Sequence, residues 1–203
     1  MPAKLSDKFG RGEATRQRII ERSAPIFNKH GYVGTSMSEL MAATGLEKGG
    51  LYRHFESKEA LAGAAFDYAW ETVSEPRQRG LDDCNGSLEK LLLLVHNFVD
   101  EAPRNLPGGC PLLNAAIDSD DGNALIRAKA KAALDQWRSN LGGLVRDGQA
   151  SGELRGGANP DSVAVIMISA LEGAVMMSRL EKSREPLRKV GSHLESYLRT
   201  LQA

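Results

Sequence analysis

Thr35-Ser36-Met37-Ser38-Glu39-Leu40-Met41-Ala42-Ala43-Thr44-Gly45-Leu46-Glu47-Lys48-Gly49-Gly50-Leu51-Tyr52-Arg53-His54-Phe55 packs several helix-boundary signals into one short span. Ser36 as N-cap with Glu39 three residues on makes a capping box, and the apolar Leu40, Met41, Ala42 and Ala43 follow it. Thr44-Gly45 ends that helix after about two turns, since glycine adopts the left-handed conformation of a C-cap without a Cβ penalty. Leu46 restores an apolar contact, and a third short helix follows through Lys48–Phe55. Two short helices joined by a glycine turn, with a longer helix before them, form the helix-turn-helix pattern, whose second short helix enters a DNA major groove.

Upstream, Ala14, Ile19, Ile20, Ala24 and Phe27 recur at helical spacing from Arg11 to His30, and Gly31 stands where a C-cap is expected. Pro25 lies inside this helix and predicts a kink or a helix held by its packing. Downstream, Ser57 opens a run through Leu61, Ala64, Ala65 and Tyr68 that stops near Pro76. Turn signals at Asn85-Gly86, Pro107-Gly108-Gly109, Asp120-Asp121-Gly122, Gly156–Pro160 and Pro186 then bracket helical runs at 87–102, 110–118, 123–150, 160–183 and 187–202. No β-type alternation, internal repeat or flexible linker interrupts them. The expected fold is all-α with about nine helices: a three-helix helix-turn-helix domain at 1–56 and a helical body at 57–203.

The chain of 203 residues carries no formal net charge, but the charge is unevenly spread. Residues 1–60 hold ten Lys/Arg against seven Asp/Glu, a net of +3, and the remainder carries −3. A modestly basic front beside an acidic body suits a protein that touches phosphate at one end. Cys84 and Cys110 have no CxxC pairing and no His at ligand spacing, so neither a metal site nor a disulfide framework is expected, and a reducing cytoplasm fits. The polar N-terminus does not read as a signal peptide and no apolar run approaches a membrane span, so a soluble, non-membrane protein is expected.

Chemistry for groove binding sits in the third helix. Lys48 can pair with phosphate, Gly49 and Gly50 let the backbone approach closely, Tyr52 and His54 can donate to phosphate oxygens, and Arg53 can reach a base edge. The Ser36 end of the second helix offers N–H groups that also suit phosphate. The segments Gly31-Tyr32-Val33-Gly34-Thr35-Ser36-Met37-Ser38-Glu39-Leu40 and Ala43–Leu61, with their Lys-Gly run, Tyr-x-His-Phe and Ser-Lys-Glu-x-Leu in register, resemble the TetR family of repressors. The resemblance covers about residues 11–61. It implies a homodimer on a palindromic double-stranded operator, with a variable C-terminal domain that binds a small-molecule inducer. It also implies DNA contacts at Thr35, Ser36, Lys48, Gly49, Tyr52, His54 and Lys58. Two residues depart from the family pattern. Glu47 replaces a usual hydroxyl N-cap, placing an acid near phosphate, and Gly50 replaces a commonly larger residue, so the operator sequence is not predicted.

The run 160–183 is apolar on more than one face, through Val163, Ala164, Ile166, Met167, Ala170, Leu171, Ala174 and Val175, which suits burial against two surfaces. With the resemblance, 160–183 and 187–202 become the expected dimer contact; a buried core helix of a monomer is the other reading. Phe98, Leu113, Asn114, Trp137, Met167 and Met177 are the candidate ligand-pocket residues, with core packing as their alternative. Cys110 in Gly108-Gly109-Cys110-Pro111 opens a helix, where the dipole favours a thiolate, and the segment is similar to that of a TetR-like subgroup in which some members respond through the cysteine. A buried hydrophobic role is its alternative. Cys84, among Asp82, Asp83 and Asn85, has anionic neighbours that disfavour a thiolate.

Two other functions remain to be separated. An enzyme needs a constellation that His30, His54, His96 and His193 do not form, being scattered without partner groups at motif spacing, and no cofactor is called for. Asp118, Asp120 and Asp121 read as a solvated helix end or a cation site. A helical protein-interaction module without DNA binding is the second alternative, and it would not depend on Tyr52 or His54.

Overall fold

The computed structural model describes residues 10–101, 106–118 and 123–203, and among these it forms nine α-helices and no strand. They are α1 (Arg11–Gly34), α2 (Met37–Thr44), α3 (Lys48–Tyr52), α4 (Lys58–Ser74), α5 (Ser87–Glu101), α6 (Pro111–Asp118), α7 (Ala124–Ala150), α8 (Pro160–Leu180) and α9 (Glu185–Thr200). Single 3-10 turns at Pro76–Gln78 and Leu81–Asp83 join α4 to α5. The all-α expectation holds and the helical runs fall where the turn signals placed them. Asp120, Asp121 and Gly122 lie outside the described residues.

The chain divides into two compact units: Met1–Glu71 with Leu106–Ala130, and Thr72–Asn105 with Lys131–Ala203. A boundary after residue 56 was expected. The first unit instead continues through most of α4 and takes in α6 and the start of α7, because the three front helices alone do not enclose their apolar faces. Ile19, Ala24 and Phe27 of α1 and Leu40 of α2 are buried with Leu51, Phe55, Leu61, Ala62 and Ala65, and Leu112, Ala115 and Ile126 complete the core of that unit. A fully buried leucine such as Leu40 contributes about 2 kcal/mol through area removed from water.

Pro25 produces no break in α1. The one residue inside α1 with non-helical angles is Gly31, at φ +73° and ψ 174°. The backbone therefore turns at the glycine, which alone tolerates that region, and resumes for the last residues to Gly34.

In the second unit, Leu91, Val95, Phe98, Leu141, Val145, Met167, Leu187, Leu194 and Leu198 are almost wholly buried. Glu153 caps α5 by accepting from the Ser87 N–H at 2.7 Å and the Leu88 N–H at 3.1 Å, two of the donors a helix start leaves open. The C-terminus is pinned by an isolated bridge between Leu154 and Gln202 and by the Arg155 N–H donating to the Leu201 carbonyl. Phe98 and Trp137 stack with ring centres 5.9 Å apart, and the buried Arg77 guanidinium lies 4.1 Å and 5.5 Å from the two rings.

α8 is apolar on two sides. Val163, Ala164, Met167, Ile168, Leu171, Ala174 and Val175 face the core, whereas Val165, Ile166, Met176, Met177 and Leu180 are exposed. Ser169 and the open Gly173 lie between the exposed groups, so they form one stripe along the helix. α8 is also the one helix among the described residues long and apolar enough to cross a membrane, and half of its most apolar window is buried. That is the composition of a core helix with a second apolar contact face.

Candidate nucleic-acid interface

The capping box expected from Ser36 and Glu39 is present in full. The Glu39 N–H donates to Ser36 Oγ at 3.2 Å, while the Ser36 N–H and hydroxyl each donate to Glu39 Oε2 at 2.8 Å. His30 Nδ1 lies 2.8 Å from the other carboxylate oxygen, joining α1 to the cap. The Ser36 N–H, then the Ser36 hydroxyl, hold the Glu39 carboxyl below its ordinary range, with His30 adding and partial desolvation opposing. At the other end Gly45 closes α2 at φ +70°, its N–H donating to the Met41 carbonyl. Arg22 of α1 reaches the Thr44 carbonyl at 3.2 Å, so α2 is tied to α1 at both ends.

α3 follows with Glu47 at its N-cap. Glu47 is exposed and makes no side-chain cap bond, and its carbonyl receives the Gly50 N–H at 2.8 Å and the Leu51 N–H at 3.2 Å. Leu51 anchors the helix inward at 2% exposure, with Phe55 buried just beyond it. The opposite surface carries Lys48, Gly49, Tyr52 and Arg53, all exposed, and His54 half-buried at its edge. Lys48 Nζ lies 5.9 Å from the Tyr52 ring centre. A Cβ on Gly49 would meet nothing within 4 Å and one on Gly50 only the Leu46 side chain from 3.4 Å. Neither glycine has a positive φ. Packing within the chain therefore does not demand glycine at either position, although each costs about 1 kcal/mol relative to alanine in a helix.

Two expected contact residues face inward. Thr35 is 1% exposed and its hydroxyl donates to the Gly31 carbonyl at 2.6 Å, so it closes the turn between α1 and α2 instead of offering a donor outward. Lys58 donates to the Tyr32 carbonyl at 2.6 Å with its ammonium 4.5 Å from the Tyr32 ring centre, so it fixes the start of α4 against the same turn. Ser36 is exposed, but its hydroxyl is engaged in the cap.

Sequence reading missed what holds the turn from the other side. Asp118, the last residue of α6, accepts from the Tyr32 N–H at 2.7 Å through Oδ2. Tyr32 is thus held at its N–H by Asp118 and at its carbonyl by Lys58. Asn28 donates to the carbonyls of Pro107 at 2.8 Å and Gly109 at 3.0 Å, and Asn114 donates back to the Asn28 carbonyl at 2.9 Å. These amides bind the start of α6 to α1.

The proposed ligand residues fall into two groups. Cys110, Leu113 and Asn114 belong to the first unit, and Phe98, Trp137, Met167 and Met177 to the second. Phe98 and Met167 are core, Trp137 stacks on Phe98, Met177 is exposed at 45% on the α8 stripe, and Asn114 lines a cavity of the first unit. Cys110 is 4% exposed, just ahead of α6, and its carbonyl accepts the Asn114 N–H. Burial, then Glu89, pushes the Cys84 thiol up. Among the described residues no group of acidic, His or Cys side chains is arranged to hold a metal.

A capped two-helix reading head on a longer helix defines the class: a helix-turn-helix DNA-binding regulator. Residues 19–65 match the family described as "Bacterial regulatory proteins, tetR family", and residues 87–194 match "Tetracyclin repressor-like, C-terminal domain". The chain belongs to the TetR family of transcriptional regulators, which are not enzymes. It is 27% identical over 173 residues to the HTH-type transcriptional repressor DhaR of Mycobacterium sp. strain GP1, across 85% of this chain and 86% of that protein. A TetR transcriptional regulator from Chloroflexus aurantiacus superposes with a TM-score of 0.90 at 44% identity, covering 96% of this chain and 98% of that one. A TetR-family regulator from Cytophaga hutchinsonii does so at 0.88 and 37% identity, again covering 96% and 98%.

Proposed function

We propose that this chain is a homodimeric repressor that grips a palindromic operator with α3 of each protomer and leaves it when a small ligand acts on the helical body. The observation that carries the DNA-contact assignment is the outer surface of α3. Lys48, Tyr52 and Arg53 are exposed around two glycines that internal packing does not require. An exposed helix that gives up helix propensity at Gly49 and Gly50 is suited to close backbone approach to phosphate. Ser36 and His54 flank that surface, and Thr35 and Lys58 support it by holding the turn.

The dimer contact is assigned to the α8 stripe of Val165, Ile166, Met176, Met177 and Leu180, an apolar face of the kind that obligate interfaces cover. The second expected part of the contact is α9, whose exposed residues include the polar Arg188, Lys189, Ser192, His193, Ser196 and Arg199. Ligand release is the family's usual mode of response. A response at Cys110 is the finer alternative: it stands just ahead of α6 and its burial restricts access, so alkylation of the native protein followed by DNA titration decides it.

The test is titration of a duplex from the chain's own upstream region against a scrambled duplex, with stoichiometry by sedimentation. Two protomers per specific duplex supports the proposal. Equal affinity for both duplexes removes it.

A further inference from the structure

The first unit contains a partly open cavity of about 50 Å³ lined by residues of α1, α4, α6 and the start of α7. Its walls are apolar, with Phe27 of α1, Ala65 and Phe66 of α4 and Ala115 of α6 among them. Its polar groups include Asn114 and Asp118, one turn apart on the same face of α6.

The hydrogen bonds of those two side chains leave one kind of capacity spare. Asn114 uses its amide N–H groups on the Asn28 carbonyl, Asn28 Oδ1 and the Gly108 carbonyl, at 2.9, 3.1 and 2.9 Å. Asp118 receives the Tyr32 N–H on Oδ2. Among the described residues no donor reaches Asn114 Oδ1 or Asp118 Oδ1. The Asn28 amide is spent on Pro107 and Gly109. The described lining holds one carboxylate and no Lys, Arg or His, since Lys58 is turned to the Tyr32 carbonyl and is not part of it.

From this we infer a binding site, in the first unit, for a small primary ammonium with a short aliphatic tail. The ammonium supplies donors to the two idle acceptors and a positive charge to Asp118; the tail covers the alanine and phenylalanine walls. One water needs roughly 10–15 Å³ of such space, so the cavity accommodates a head group with about two to four carbons. The site engages the carboxylate that holds Tyr32, which places its occupancy next to the turn leading into α2. Binding itself does not depend on the DNA-binding reading, and it is tested without DNA.

The experiment is ligand-observed NMR on the full-length protein with n-propylammonium chloride and, as a neutral isostere, 1-propanol. A dissociation constant on the order of 1 mM is expected for the ammonium, given so few heavy atoms, and at least about tenfold weaker binding for the alcohol. Asp118→Asn still offers an acceptor to the Tyr32 N–H but no charge, and should weaken the ammonium about tenfold. Ala65→Leu fills the space and should abolish binding. Equal binding of alcohol and ammonium overturns the inference, as does undiminished binding to Ala65→Leu. So does the absence of binding at tenfold the expected constant, which would leave the cavity to water. Should Ala65→Leu fail to fold, Asp118→Asn and the isostere still decide the charge requirement.

Discussion

Gly31→Ala is the substitution whose cost the structure sets most directly. At φ +73° and ψ 174° Gly31 occupies a region that is essentially glycine's alone, and an alanine there costs about 1–3 kcal/mol in backbone strain. The new Cβ would also lie 2.3 Å from Asp118 Oδ1 and 2.7 Å from Asp118 Cγ. The carboxylate must move, and with it goes the bond from the Tyr32 N–H, a hydrogen bond to a charged group worth about 1.5 kcal/mol at the low end that partial exposure warrants. The sum is about 3 kcal/mol. Gly45→Ala is the control: Gly45 also has a positive φ, +70°, but a Cβ there meets nothing within 4 Å, so about 1 kcal/mol is expected. Urea unfolding followed by Trp70 fluorescence, in a Trp137→Phe background, reads the first unit, because the two tryptophans fall in different units. Asp118→Ala introduced into Gly31→Ala should cost far less than in the parent, since the bond it removes is already gone. A cost for Gly31→Ala no greater than for Gly45→Ala, or strict additivity with Asp118→Ala, would refute this account of the turn.

Other outcomes follow from the same geometry. Ser36→Ala should destabilise the first unit by about 1 kcal/mol in urea unfolding through loss of the α2 cap. Glu39 has a depressed folded-state pKa, so its contribution is present above its ordinary value of 4.5 and is lost as pH falls through the lower folded value; Glu39→Gln should flatten the acid limb of the stability profile. Cys84, pushed up by burial and Glu89, should alkylate more slowly than free cysteine near neutral pH, with the rate climbing as pH rises. Met177→Glu should shift the protein from dimer to monomer in sedimentation if the α8 stripe is the contact, while leaving the helical circular dichroism unchanged.

The local signals in the sequence were sufficient for the elements. Ser36, Glu39 and Gly45 act within a few residues of the backbone groups they satisfy, and each occupies its expected place. Pro25 and Gly31 behave within the alternatives local reasoning left open: the prolyl ring removes one hydrogen bond that surrounding packing can spare, whereas the positive φ at Gly31 changes the direction of the chain where a C-cap was expected. Thr35 and Lys58 look outward in sequence because hydroxyl and ammonium groups suit phosphate. The Gly31 and Tyr32 carbonyls claim them first. Asp118 could be read only as part of a solvated helix end or a cation site, since its partner Tyr32 is 86 residues away. The ligand list suffered similarly: periodicity tells which face of a helix is buried, not which residues across the fold leave space between them.

The central claim, that α3 carries the DNA contact, is tested most directly by the salt dependence of operator binding for the parent and for Lys48→Ala. If Lys48 of each protomer neutralises a phosphate, the slope of log affinity against log salt should become shallower by about 2 for a dimer, at roughly 0.9 per contact, with affinity falling on specific and scrambled duplexes alike. An unchanged slope and unchanged affinity in Lys48→Ala would contradict it and take the contact away from this face of α3.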